Sequence, residues 1–130
     1  MGYDIYITRK VNWFDKDGKD ISLSEWLAFV HSDPEMRLDG FAEAATPDGD
    51  TIRIESEGLS VWTAYSGHMK DSNMAWFDFR DGHVVVKNPD KEIRQKMHQI
   101  AQRLHGRVQG DDGEYYGPPL ILWLILSSNP

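Results

Sequence analysis

Ala75-Trp76-Phe77-Asp78-Phe79-Arg80-Asp81-Gly82-His83-Val84-Val85-Val86-Lys87-Asn88-Pro89-Asp90 carries the two signals that decide the fold. Ala75, Phe77 and Phe79 recur at every second position and share one face of a strand. Asp81-Gly82 follows as a type I′ hairpin pair, because both central residues of that turn need positive φ. Asn88 then reads as a helix cap with Pro89 at the first helical position. A hairpin that runs directly into a helix predicts strands and helices in one mixed fold.

Working upstream, Pro47-Asp48-Gly49 and Glu57-Gly58 separate further runs with strand character. Ile52 and Ile54 alternate with Arg53 and Glu55, and Leu59, Val61, Thr63 and Tyr65 alternate in the next run, so each strand is expected to have a core side. Trp62, Trp76, Tyr65 and Phe77 are expected in the core, with Trp62 and Trp76 as alternative outward anchors. Ser22-Leu23-Ser24-Glu25 is a capping box, and Ile21 with Trp26 forms a hydrophobic staple across it. The helix that starts there ends at Asp33-Pro34, since a residue before proline is pushed out of the helical region. Met1-Gly2-Tyr3-Asp4-Ile5-Tyr6-Ile7 lacks the basic region and long apolar run of a signal peptide and reads as a strand. Tyr6 also stands where a myristoylation signal needs Ser or Thr.

Working downstream, Ile93, Met97, Ile100, Ala101 and Leu104 recur at helical spacing until Gly106 closes the second helix. Lys91, Arg94, Lys96, Arg103 and Arg107 mark its other face as basic and solvated. The expected fold class is α+β, a single domain over residues 1–116 in which an antiparallel β-sheet meander packs against two main α-helices. Residues 117–130 hold no charge and include the apolar run 120–126, too short to span a bilayer as a helix, which takes about 20 residues. That segment is expected as a buried strand or helix, or as an interface segment that makes a homo-oligomer.

Composition narrows the function. The 130 residues hold 40% apolar and 12% aromatic side chains, enough for a core, and no cysteine, which removes disulfides, thiolate metal sites and cysteine nucleophiles. Fourteen Lys and Arg against 21 Asp and Glu give a net charge of −7, which argues against direct contact with nucleic acid or anionic membranes. The location expected of such a chain is cytoplasmic. The five histidines show no HxH or HxxxH pair, and His98 and His105 are separated by about 10 Å along a helix, too far to share an ion. Asp15-Lys16-Asp17-Gly18-Lys19-Asp20 misplaces the glycine of a calcium loop and puts Lys19 at a ligand position. Neither a metal nor a cofactor is expected. No nucleophile elbow, phosphate loop or dinucleotide fingerprint is present, so no catalytic residue is assigned.

The segment Val108-Gln109-Gly110-Asp111-Asp112-Gly113-Glu114-Tyr115-Tyr116 is the candidate site. Three carboxylates in four positions gain nothing from burial, and tyrosines supply the contact area and polar tip favoured at interfaces. Asp111, Asp112, Glu114, Tyr115 and Tyr116 are therefore the expected partner-binding residues. The two tyrosines point to opposite sides if extended, so at least one is expected to be accessible.

Glu25-Trp26-Leu27 with Asp33-Pro34-Glu35-Met36, Met74-Ala75-Trp76-Phe77, Val86-Lys87-Asn88-Pro89-Asp90 and the stretch from Val108 to Tyr115 together carry a resemblance. Over residues 1–116 the chain resembles small bacterial immunity proteins of contact-dependent growth inhibition and related polymorphic toxin systems. The resemblance implies a non-enzymatic protein that binds a cognate toxin domain, often a nuclease, and occludes its active site or substrate-binding surface. Two other expectations compete with it. One is a small acid/base enzyme using His68 with Asp71 or Asp112, and the other an oligomeric scaffold built through residues 120–126.

Overall fold

The computed structural model describes residues 3–68 and 74–116. Its elements run β1 (Asp4–Thr8), α1 (Leu23–Ser32), β2 (Met36–Leu38), β3 (Phe41–Ala45), β4 (Thr51–Glu55), β5 (Ser60–Trp62), β6 (Trp76–Arg80), β7 (His83–Lys87), α2 (Lys91–Arg103) and β8 (Arg107–Gln109). Among the described residues, six strands form one sheet in the order β2-β5-β6-β7-β1-β8, and β3 pairs with β4 alone. All the pairings are antiparallel, so the fold is α+β as expected.

The Asp81-Gly82 turn forms as expected, with φ of 49° and 86° at its two residues and Arg80 opposite His83. The sheet is not a simple meander, however. Only β5, β6 and β7 follow one another, and β1 lies between β7 and β8. Ile5, Ile7, Val84, Val86, Phe77 and Val108 form one buried cluster with Trp26, Phe29 and Val30 of α1 and Ile93, Met97 and Ile100 of α2. Both helices therefore cover the same sheet face. The alternate residues Tyr6, Asp78 and Val85, aligned across β1, β7 and β6, stand on the other.

The capping box at Ser22 and Glu25 is present, and Ile21 and Trp26 are both fully buried beside it. Both ends of α2 differ from expectation. The cap is Asp90, whose carboxylate accepts the Ile93 N–H at 2.9 Å, while Asn88 takes a left-handed conformation at φ 49° and accepts the Tyr3 N–H at 2.7 Å. At the other end His105, not Gly106, adopts the left-handed conformation, and the Gly106 N–H closes back to the Ala101 carbonyl at 2.8 Å. Gly106 is needed for another reason: a Cβ there would lie 2.9 Å from the Thr8 carbonyl oxygen.

Two more expectations are corrected. All five residues of β4 are exposed, so Ile52 and Ile54 have no core side. Lys96 does not belong to a solvated basic face: it is buried, with its ammonium 2.7 Å from Asp33 and 3.0 Å from Glu35. The Trp62 indole also donates to Glu35 at 3.1 Å, which ties α2, β5 and the end of α1 into one polar junction. Arg9 makes a second junction through its bidentate pairing with Glu25 at 2.7 and 2.9 Å and its Nε donation to the Leu104 carbonyl at 2.7 Å.

Candidate functional site: an acidic knot beside an open groove

The knot is a tight turn following β8. The Gly110 N–H donates to the Glu114 carbonyl at 2.9 Å, the Gly113 N–H to the Gly110 carbonyl at 3.1 Å, and Gln109 bridges to Tyr115. Gly113 sits at φ 85°, where an L side chain is strained, and a Cβ there would lie 2.6 Å from the Asn12 amide oxygen. The preceding loop fastens the turn from outside. The Trp13 indole N–H is shared between the Gly110 and Asp111 carbonyls at 3.1 Å each, and the Gln109 amide oxygen accepts the Trp13 backbone N–H at 2.9 Å.

The five sequence-predicted residues divide by role. Asp111 turns back to the sheet, accepting the Tyr6 hydroxyl at 3.0 Å and the Asp4 N–H at 3.4 Å. Glu114 folds over Gly110 and accepts the Asp112 N–H at 3.0 Å. Asp112 is exposed, and Tyr115 is 67% exposed beside a small cleft of about 130 Å3 that includes His98 and Gln102 of α2. Tyr116 is half-buried against the core and donates its N–H to the Val108 carbonyl at 2.9 Å. One tyrosine accessible and one packed is the outcome expected from strand alternation.

Sequence reasoning missed the aromatic support of this knot. Tyr6 and Trp13 stack at 3.9 Å with ring planes 7° apart, and His83 meets both edge-on at 5.5 and 5.4 Å. Burial first, then the Asp111 hydrogen bond and the negative charges of Asp111 and Asp4, hold the Tyr6 phenol far above its ordinary pKa. Burial lowers the pKa of His83 and favours its neutral form. An alternating polar-aromatic strand does not announce such a cluster, because Trp13 reaches it from an irregular loop.

Beside the knot, a groove of about 700 Å3 opens along the sheet and reaches Ile93 of α2. Trp76, Asp78, Val85 and Tyr6 lie along its floor, Trp13 at one side, and Ala42 and Ile54 of the β3–β4 hairpin at the other. Trp62, Phe77 and Tyr65 pack in or against the core as expected, and Trp76 lines this groove together with Tyr65.

The enzymatic alternative gains no assembled pair. His68 has a buried Nδ1 without a hydrogen-bond partner, but no hydrogen bond among the described residues joins it to Asp112. Asp71 and residues 117–130, with the expected buried or oligomer-forming run, lie outside the described residues. Among the described residues no three His, Asp or Glu side chains gather as a metal site, and no helix is long and apolar enough to cross a membrane.

Fold and site together define an α+β domain with one helix-covered sheet face, one open concave face and an acidic turn at its edge. No protein-family model, curated protein or solved structure matches the chain.

Proposed function

We propose that the chain is an immunity protein that binds a cognate toxin domain in the cytoplasm and occludes its active site or substrate-binding surface. The toxin is a nuclease whose substrate cleft is basic, and inhibition is stoichiometric, without turnover. The observation that carries this reading is the fixed acidic knot. Asp111, Asp112 and Glu114 have no ion-pair partner among the described residues, and their turn is held by its own backbone bonds and by Trp13. A turn ordered before encounter loses little conformational freedom on binding, and its unpaired carboxylates accelerate association with a basic surface. Tyr115 supplies an exposed aromatic anchor beside them.

The test uses the domain encoded by the adjacent gene, purified as a catalytically inactive variant and titrated calorimetrically at low and high salt. The Asp112→Asn/Glu114→Gln variant is expected to bind roughly tenfold more weakly at low salt and to lose part of the salt dependence. Unchanged affinity would move the interface away from the knot. Absence of binding by the parent chain would remove the immunity reading.

A further inference from the structure

The two faces of the β3–β4 hairpin have different surfaces. In the β3–β4 hairpin, Ala42 lies opposite Ile54 and Ala44 opposite Ile52, which gathers the small and branched apolar residues on one face. The other face is satisfied within the hairpin: Arg53 lies over the Phe41 ring and pairs with Glu43 and Glu55 at 3.0 and 3.1 Å. The apolar face turns to the groove through Ala42 and Ile54, yet Ile52 and Ile54 remain 53% and 56% exposed. A two-stranded hairpin is marginal by itself, so an apolar face held next to Trp76 and Val85 with open space between them gains stability from an occupant.

Charge specifies the kind of occupant. Asp78, on the floor, is taken by Arg80 at 2.6 Å and accepts the Ser56 hydroxyl at 2.7 Å. Asp4 and Asp81 line the groove without an ion pair among the described residues, and Asp111 adds a third unpaired carboxylate where it meets Tyr6. Against these, Lys87 is the lining cation left without a pair among the described residues. Burial first, then the hydrogen bond to Asp111 and the charges of Asp111 and Asp4, raise the pKa of the Tyr6 phenol at the end of the groove where those two carboxylates lie. Trp13 stands beside it, and an indole face favours a cation as well.

We propose that this groove is the docking site for an extended basic segment of the protein partner. Its apolar side chains pack between Ile54 and Trp76, and its arginine or lysine side chains reach Asp4 and Asp111 beside Trp13. The floor spans β6, β7 and β1, two inter-strand spacings or about 10 Å, wide enough for one chain lying across it. The inference rests on the proposed function for the owner of the segment, and it adds an interface on the sheet to the one at the knot.

The test follows the five tryptophan indole signals of the full chain by NMR while a peptide is added. The probe is acetyl-Arg-Leu-Arg-Leu-Arg-amide, and its control carries citrulline in place of each arginine. The arginine peptide is expected to shift the Trp76 and Trp13 signals and to bind roughly fivefold or more tightly than the control. Asp4→Asn should weaken the arginine peptide without changing the melting temperature, and Ile54→Ser should weaken both peptides. Equal response to both peptides, shifts confined to other tryptophans, or shifts that follow protein concentration without peptide, as a second copy in the groove would give, overturn the proposal. Toxin binding that is unchanged in both variants also overturns it and leaves the immunity reading intact. Groove binding of the peptide by a chain that captures no toxin does the reverse.

Discussion

Arg9 joins three parts of the chain with one guanidinium: Glu25 at the start of α1, the Leu104 carbonyl at the end of α2 and the Asp20 carbonyl of the intervening loop. The Arg9 hydrogen bonds and those from Ser22 hold the Glu25 carboxyl at about 2, well below its ordinary 4.5. A depressed folded-state value means stabilisation that is complete above the unfolded value and lost as pH falls. The stability difference between the parent and Glu25→Gln is therefore expected to shrink between pH 4.5 and about 2, as read by urea unfolding at each pH. His83 and His98 work at milder pH. Burial lowers both from the ordinary 6.5, so the unfolded chain takes up protons first and stability declines as pH drops below that value. Lys96 gives the larger mutational effect. Lys96→Met removes the ammonium that Asp33 and Glu35 share, at a cost of about 2 kcal/mol, less than for a fully buried pair because Glu35 is half exposed. Urea denaturation measures it.

At the scale of elements, what the sequence disclosed was chemistry within about four residues. Ser22 and Glu25 identify a helix start because cap and partner lie one turn apart, and Asp81-Gly82 identifies a hairpin because the backbone itself needs positive φ there. Asn88 was misread because it has two uses open to it: its side chain serves Tyr3, 85 residues away, and leaves Asp90 to cap α2. The insertion of β1 between β7 and β8 and the separation of β3–β4 from the large sheet depend on pairings with no local signature. The same limit applied to the site. The carboxylates and tyrosines of the knot were legible from composition, but the Tyr6 contact to Asp111 spans 105 positions, and Trp13 reaches the turn from a loop. Close packing between elements is directly testable at Gly58, where a Cβ would meet the Phe79 Cβ at 2.5 Å and Trp26 at 3.1 Å. Gly58→Ala is expected to lower stability by about 2 kcal/mol in thermal or urea unfolding. Hydrogen exchange should separate the two sheets: β4, exposed along its length, opens locally and exchanges fast, while β1 and β7, paired on both sides, are protected up to global unfolding.

Across the whole molecule, the helices close one face of the sheet and the groove lies along the sheet with an acidic turn at its edge. The chain has a net charge of −7; its groove is lined by Asp4 and Asp81, which have no ion pair among the described residues, and its turn presents Asp112 and Tyr115. The proposed capture of a basic protein surface rests on these preformed contacts. Among the described residues, His68 and Asp112 make no hydrogen bond to each other. The most direct test of the proposed function is calorimetric titration of the full chain with an inactivated variant of the domain that the adjacent gene encodes, repeated over a series of salt concentrations. The account predicts one-to-one binding that weakens steadily as salt rises. Absence of binding, or an affinity indifferent to salt, would contradict it.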